Sequence, residues 1–254
     1  MQDGVTAFRR ASVSTHYVAG IERRLGSGIE ARVEGYYKRL RRLRDRFENL
    51  RDDVEFTPEI EDDRVHLFPA TGVARGIEFF FKRDAGGRLN WWVVYAYATT
   101  RETYDTAQGP PELRGLTLPR RFDQPHTFSA DVIFRPSPVW HLSAAWQIRS
   151  GWPFSPLKLT QVTAPNGSRF YTTQWSPDYE RYPPFHRLDL KASRRFTFRR
   201  WQLHTAVEVI NVYNRRNVRQ YEYQFSVNAG QIITNRHIQG WLPILPSFTV
   251  GAEF

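Results

Sequence analysis

Cysteine is absent from all 254 residues, which removes disulfide bridges, thiolate nucleophiles and cysteine-ligated zinc at once. Long apolar runs are missing too. The longest uncharged apolar stretch is Trp91–Ala98, far short of the roughly 18 to 20 residues a spanning helix needs, so a helical membrane protein is excluded. The 7 histidines show no His-Glu-x-x-His spacing, and there is no Gly-x-Ser-x-Gly elbow or phosphate-binding glycine loop. No catalytic residue, metal or cofactor is expected. The opening residues Met1–Thr6 contain no apolar core of a signal peptide. An outer-membrane location would therefore make the chain a fragment of a longer polypeptide.

Acidic residues are the minority, 26 Asp and Glu against 36 Lys and Arg, for a net charge of +10. That balance suits nucleic acid or anionic lipid headgroups. Nucleic-acid binding wants basic residues interleaved with exposed stacking aromatics on one surface. Here the aromatics fall on separate, apolar faces, so no nucleic-acid partner is expected.

What is present is two-residue periodicity, interrupted by alternately short and long connections. In Leu89–Ala98 one face carries Leu89, Trp91, Val93, Tyr95 and Tyr97. From Phe185 to Phe198 the split is sharper, with Leu188, Leu190, Ala192, Phe196 and Phe198 opposing Arg187, Asp189, Lys191, Ser193 and Arg195. The same alternation marks strands near 12–24, 29–38, 73–82, 128–135, 140–148, 201–209 and 248–254. Leu25–Gly28, Asp84–Arg88, Pro136–Pro138 and Arg199–Arg200 read as tight turns. Between them lie long connections, roughly Arg41–Thr71, Thr106–Phe122, Gly151–Pro184 and Asn214–Pro246.

Short turns on one rim, long loops on the other and strands of about ten residues describe an antiparallel transmembrane β-barrel. A soluble β-sandwich also alternates, but it has no need of aromatics near strand ends. Trp91, Tyr97, Trp140, Trp146, Phe196, Trp201, Phe248 and Phe254 mostly lie there, where interfacial girdles belong. Leu40, Leu43, Phe47, Leu50 and Val54 recur at helical spacing within 38–55. That segment reads either as a helix in the first long loop or as a strand continuing to about Arg44.

Several stretches resemble the C-terminal barrel of TonB-dependent receptors: Glu34-Gly35-Tyr36-Tyr37-Lys38, Gly72–Glu78, Ser150-Gly151-Trp152-Pro153-Phe154, His186–Leu190 and Asn211–Asn217. The resemblance spans almost the whole chain. It implies a barrel of about 22 strands, plugged by an N-terminal domain, with short periplasmic turns and long extracellular loops. This all-β chain would supply about nine of those strands, without the plug. The family takes up bulky nutrients such as siderophores, cobalamin or saccharides when the TonB complex pulls on a plug segment. The implied location is the outer membrane of a Gram-negative bacterium. The ending Phe248, Val250 and Phe254 resembles the signal read by the barrel assembly machinery.

On the barrel reading, Glu30, Arg32, Glu34, Glu78, Lys82, Asp131, Arg135, Arg187, Asp189, Lys191, Arg195 and Glu208 face the lumen. They either guide a polar ligand or line a wet interior as cross-strand ion pairs. The basic run Lys38, Arg39, Arg41, Arg42, Arg44 and Arg46 sits at the outer rim, suited to lipopolysaccharide phosphates. Asp45, Glu48, Asp52, Asp53, Glu55, Glu59, Glu61, Asp62 and Asp63 read as a solvated acidic loop, since their spacing matches no calcium loop. Two other readings stay open: a split or structural barrel component completed by a partner chain, and a soluble basic β-rich binding module.

Overall fold

The computed structural model describes residues 11–49, 64–84, 86–174, 179–228 and 231–254. Its body is one antiparallel sheet of nine long strands: Val13–Gly26, Ile29–Arg41, Pro69–Arg83, Leu89–Tyr104, His126–Ser137, Trp140–Arg149, Phe185–Thr197, Gln202–Ile210 and Leu245–Glu253. Each pairs with its neighbours in chain order, a pure meander. A short tenth strand, Thr117–Pro119, pairs with the loop end of the fourth.

The turns form where the sequence permits tight reversal. Gly26, Ser27 and Gly28 all hold positive φ, at 88°, 50° and 70°, which only glycines and a few short polar residues adopt readily. At Arg199-Arg200 the Phe198 N–H donates to the Trp201 carbonyl at 2.9 Å.

Register carries one side-chain type from strand to strand. Along one row lie Glu30, Lys82, Trp92, Asp131, Ala145 and Asp189. One residue along, on the opposite face, lie Ala31, Phe81, Val93, Ala130, Trp146 and Leu188. The apolar face is uncovered: Trp146 is 40% exposed, Leu190 41%, Val207 50% and Phe248 67%. A sandwich would bury such a face beneath a second sheet about 10 Å away. Among the described residues the sheet is a single layer with no second sheet over that face, which is not a sandwich.

The buried clusters lie among the long connections instead. Leu67, Tyr104 and Leu113 form one, and Phe154, Tyr182 and Tyr221 the other. Those connections contain hairpins, a correction to their reading as plain loops. Val218–Asn228 pairs with Gln231–Gly240, Lys158–Thr163 with Arg169–Gln174, and Arg46–Asn49 with Arg64–Leu67. In the first of these, Tyr221, Tyr223, Phe225 and Val227 alternate with Gln220, Glu222, Gln224 and Ser226, a strand signal masked by the segment's overall polarity.

The helical spacing over 38–55 is likewise overruled across the described part. The second strand runs to Arg41, with Leu40 paired to Ser14 on one side and Gly72 on the other. Arg42 then turns at φ 55°, and Phe47 stacks on His66 with ring centroids 4.3 Å apart. Pairing on both sides outweighs an intrinsic helical pattern. Leu50 and Val54 lie outside the described residues, as do Asp52, Asp53, Glu55, Glu59, Glu61, Asp62 and Asp63 of the acidic loop.

Candidate functional site

The polar face of the sheet gathers the charged residues that alternation singled out. Lys82 pairs with Glu30 directly across the second and third strands at 3.0 Å, and Arg32 reaches Glu78 diagonally at 3.7 Å. Arg187 holds Asp189 at 2.9 Å on its own strand, and Lys191 faces Glu208 at 3.4 Å across to the eighth. Of the remaining four, Glu34 stands opposite Glu78, a like charge, and Asp131 lies between Trp92 and Ala145. Arg195 donates to the Pro138 carbonyl at 3.3 Å, and the Arg135 backbone N–H donates to the Arg88 carbonyl at 2.7 Å. Exposed pairs of this kind contribute about 0 to 1 kcal/mol each. Their consequence is a charged, water-compatible surface rather than a rigid one.

Rigidity comes from the loop end, through buried groups that alternation does not reveal. Asn211, fully buried with φ 55°, closes the eighth strand. Its side-chain amide donates to the Arg215 and Leu242 carbonyls at 3.0 and 3.2 Å, its Oδ1 accepts from the Arg215 N–H at 3.0 Å, and its backbone N–H donates to Asp189 at 2.8 Å. Asn217 clasps the start of the seventh strand, accepting from the His186 N–H at 3.0 Å and donating to the His186 carbonyl at 2.9 Å. Asp189, singled out as a lumen charge, is therefore also a strut for the loop that follows the eighth strand.

Two buried carboxylates join other loops. Asp123, 5% exposed, accepts from the Thr100 N–H at 2.5 Å and pairs with Arg181 at 2.5 Å. Glu102, 1% exposed, meets Arg46 at 2.8 Å and Arg120 at 3.4 Å. Burial alone would lower the pKa of Arg46, but Glu48 and Glu102 outweigh it and hold it above the ordinary arginine value. Burial pushes Tyr179 up, keeping its phenol neutral. Between this cap and the polar face lies a cleft of about 160 Å³ with walls from Trp152, Phe185 and Trp241. Gly151 at its edge is obligatory: a Cβ there would meet the Tyr182 carbonyl oxygen at 1.7 Å.

A meander of nine strands, polar on one face, apolar and uncovered on the other, and capped by long loops at one end only, is the geometry to set against known proteins. The family model for TonB dependent receptor-like β-barrels matches residues 9–214, which includes the first eight strands. The chain belongs to this family. The ninth strand lies beyond the match, yet it pairs with the eighth over the full run from Gln202↔Glu253 to Ile210↔Leu245, as a continuation of the same receptor-type sheet. Among solved structures, the siderophore receptor PirA from Acinetobacter baumannii aligns at 11% identity and a TM-score of 0.30, over 95% of this chain and 42% of its own. The chain thus spans less than half of that receptor, and so loose a likeness carries no argument about ligand. No curated protein matches.

The hydrogen bonds of Asn211 and Asn217 give the Asn211–Asn217 stretch a physical meaning that its sequence resemblance lacked: it ties the eighth strand to the loop above. Asn211→Ala is expected to lower stability by about 2 to 4 kcal/mol, because the part-buried Arg215 N–H and two carbonyls lose their partners. Asn211→Gly should be the milder variant, since glycine accepts the positive φ that strains alanine. Urea unfolding midpoints of the detergent-solubilised protein compare the two; equal stability of wild type and Asn211→Ala would rule out the knot.

Proposed function

We propose that the chain is the C-terminal portion of a TonB-dependent receptor in the outer membrane of a Gram-negative bacterium. In this reading its nine strands are completed by earlier strands and an N-terminal plug. Its function is energised uptake of a bulky nutrient, of the class to which siderophores, cobalamin and saccharides belong. The observation that carries the reading is the single-layer sheet with one uncovered apolar face, one ionic face and two unpaired edges. Lipid does not tolerate open edges. Among the described residues the first strand pairs only with the second and the ninth only with the eighth. Nine meandering strands leave the first and last parallel, so closure by these two alone would break the antiparallel pattern.

The apolar face then meets lipid, and Glu30, Arg32, Glu34, Glu78, Lys82, Asp131, Arg135, Arg187, Asp189, Lys191, Arg195 and Glu208 face the lumen. The tight turns are periplasmic and the loop cap extracellular. Arg39, Arg75 and Arg101 support this orientation: they are exposed on the lipid-side face of three adjacent strands near the loop end, within two register steps. Among the described residues no carboxylate pairs with them, which leaves them for lipopolysaccharide phosphates. Phe248 and Val250, exposed on the same face, and the terminal Phe254 serve as the signal for the barrel assembly machinery. The TonB complex acts through the plug.

The unpaired edges equally suit a split barrel, in which a separate chain supplies the remaining strands. The mass of the native polypeptide in isolated outer membranes separates the two: far above 29.9 kDa for one receptor, at 29.9 kDa for a split barrel. The facing itself is tested by arginine. Val93→Arg or Leu190→Arg is expected to cost about 2 to 4 kcal/mol near the bilayer midplane, and Asn90→Arg or Ser193→Arg little. Equal costs for both pairs in unfolding from lipid vesicles would contradict the assignment.

A further inference from the structure

The cleft under the loop cap has a composition that the general receptor reading does not explain. Its floor is the last part of the polar face, where Arg149 stands opposite Phe185, and Arg187 also lines it. Trp152 and Trp241 meet edge to face at 6.4 Å, and Phe185 meets Trp241 the same way at 6.4 Å. Arg219 enters from the loop hairpin. It is the extra residue of a bulge, left out of the pairing between Val218↔Gly240 and Gln220↔Gln239. Bulges commonly re-aim a side chain in this way beside functional sites.

The charge in the cleft is one-sided. Three arginines line it and no carboxylate does. Arg187 is matched by Asp189 from outside the lining. Arg149 has only neutral partners, the Gln147 amide oxygen at 3.0 Å and the Phe185 ring at 4.6 Å, and its buried Nε has no acceptor. Arg219 has no ion pair among the described residues. A buried guanidinium N–H without an acceptor is costly, so the site favours an incoming anion. The size of the cleft, about 160 Å³, suits a single ring, being close to the roughly 150 Å³ that accommodates one benzene. Three aromatic walls favour a ring that meets them edge to face.

We propose that this cleft is a binding subsite for a single-ring aryl carboxylate, free or as a terminal group of a larger ligand, with Arg149 and Arg219 holding the carboxylate and Trp152, Phe185 and Trp241 enclosing the ring. The inference rests on the receptor reading and names the chemical class of its ligand. Arg219 supplies specificity for charge, because a guanidinium fork matches a carboxylate and gains little from a neutral amide.

The test is titration of the full native polypeptide, solubilised from outer membranes in mild detergent, with sodium benzoate, benzamide and cyclohexanecarboxylate by calorimetry. Saturable benzoate binding is expected, with benzamide and cyclohexanecarboxylate both weaker. Arg219→Gln should weaken benzoate by about tenfold or more, the order of a lost charge-assisted contact, and Arg219→Lys should fall between. Heat-modifiable gel mobility verifies that each variant is folded. With the protein folded, absence of saturable benzoate binding, benzamide binding as well as benzoate, or an unchanged affinity in Arg219→Gln would overturn the proposal while leaving the receptor reading intact. Arg219-dependent benzoate binding by a protein found only in the soluble fraction would do the reverse, refuting the receptor reading and upholding the cleft.

Discussion

The backbone ladder from Val13–Gly26 to Leu245–Glu253 fixes a register on which every other feature depends. Side chains alternate with a period of two, so a slip of one residue in any strand would exchange its charged and apolar faces. The observed pairings keep Glu30, Lys82 and Asp131 in one row and Ala31, Phe81 and Ala130 in the next. Among the described residues no second sheet covers this one to correct an error. On the receptor reading, lateral hydrogen bonding and the two solvents, lipid and water, specify the sheet.

That arrangement explains why the buried residues lie where they do. A single-layer sheet has no interior, so the interior is made at one end, by loops folded over one another. Leu67, Tyr104 and Leu113 contribute apolar packing there. Glu102, Asp123 and Asn211 contribute buried polar struts that tie loop to strand and loop to loop. A buried polar group with its partners met specifies one arrangement strongly. Asn211 holds the Leu242 carbonyl and Arg181, paired with Asp123, holds the Gly151 carbonyl, so these struts position residues that line the cleft with Arg149, Arg187 and Arg219.

Most of the sheet was legible because its rule is local. Alternation located all nine strands, and glycine or proline located three of the four tight turns, Arg199-Arg200 being the exception. Alternation failed where another pattern competed, as at Leu40, Leu43 and Phe47, where helical spacing is real but strand pairing prevails, and where polarity masked it, as in the hairpin Val218–Asn228 with Gln231–Gly240. The cap was far less legible. The partnerships of Arg46 with Glu102 and of Arg181 with Asp123 join residues 56 and 58 positions apart, and nothing local to either partner announces them. The Asn211–Asn217 stretch stood out by resemblance, whereas its role as a knot needed the fold. Arg219 was passed over among many surface arginines, because only the bulge at that position singles it out.

The central claim is that one face of this sheet meets lipid and the other meets water. Because the chain has no cysteine, single cysteines placed along Leu89–Ala98 report without background. Cys substitutions at 89, 91, 93, 95 and 97 are expected to resist a membrane-impermeant maleimide and to be quenched, once labelled, by a bilayer-resident quencher. Those at 90, 92, 94, 96 and 98 should show the reverse. A labelling pattern with no period of two, measured in native outer membranes, would contradict the account.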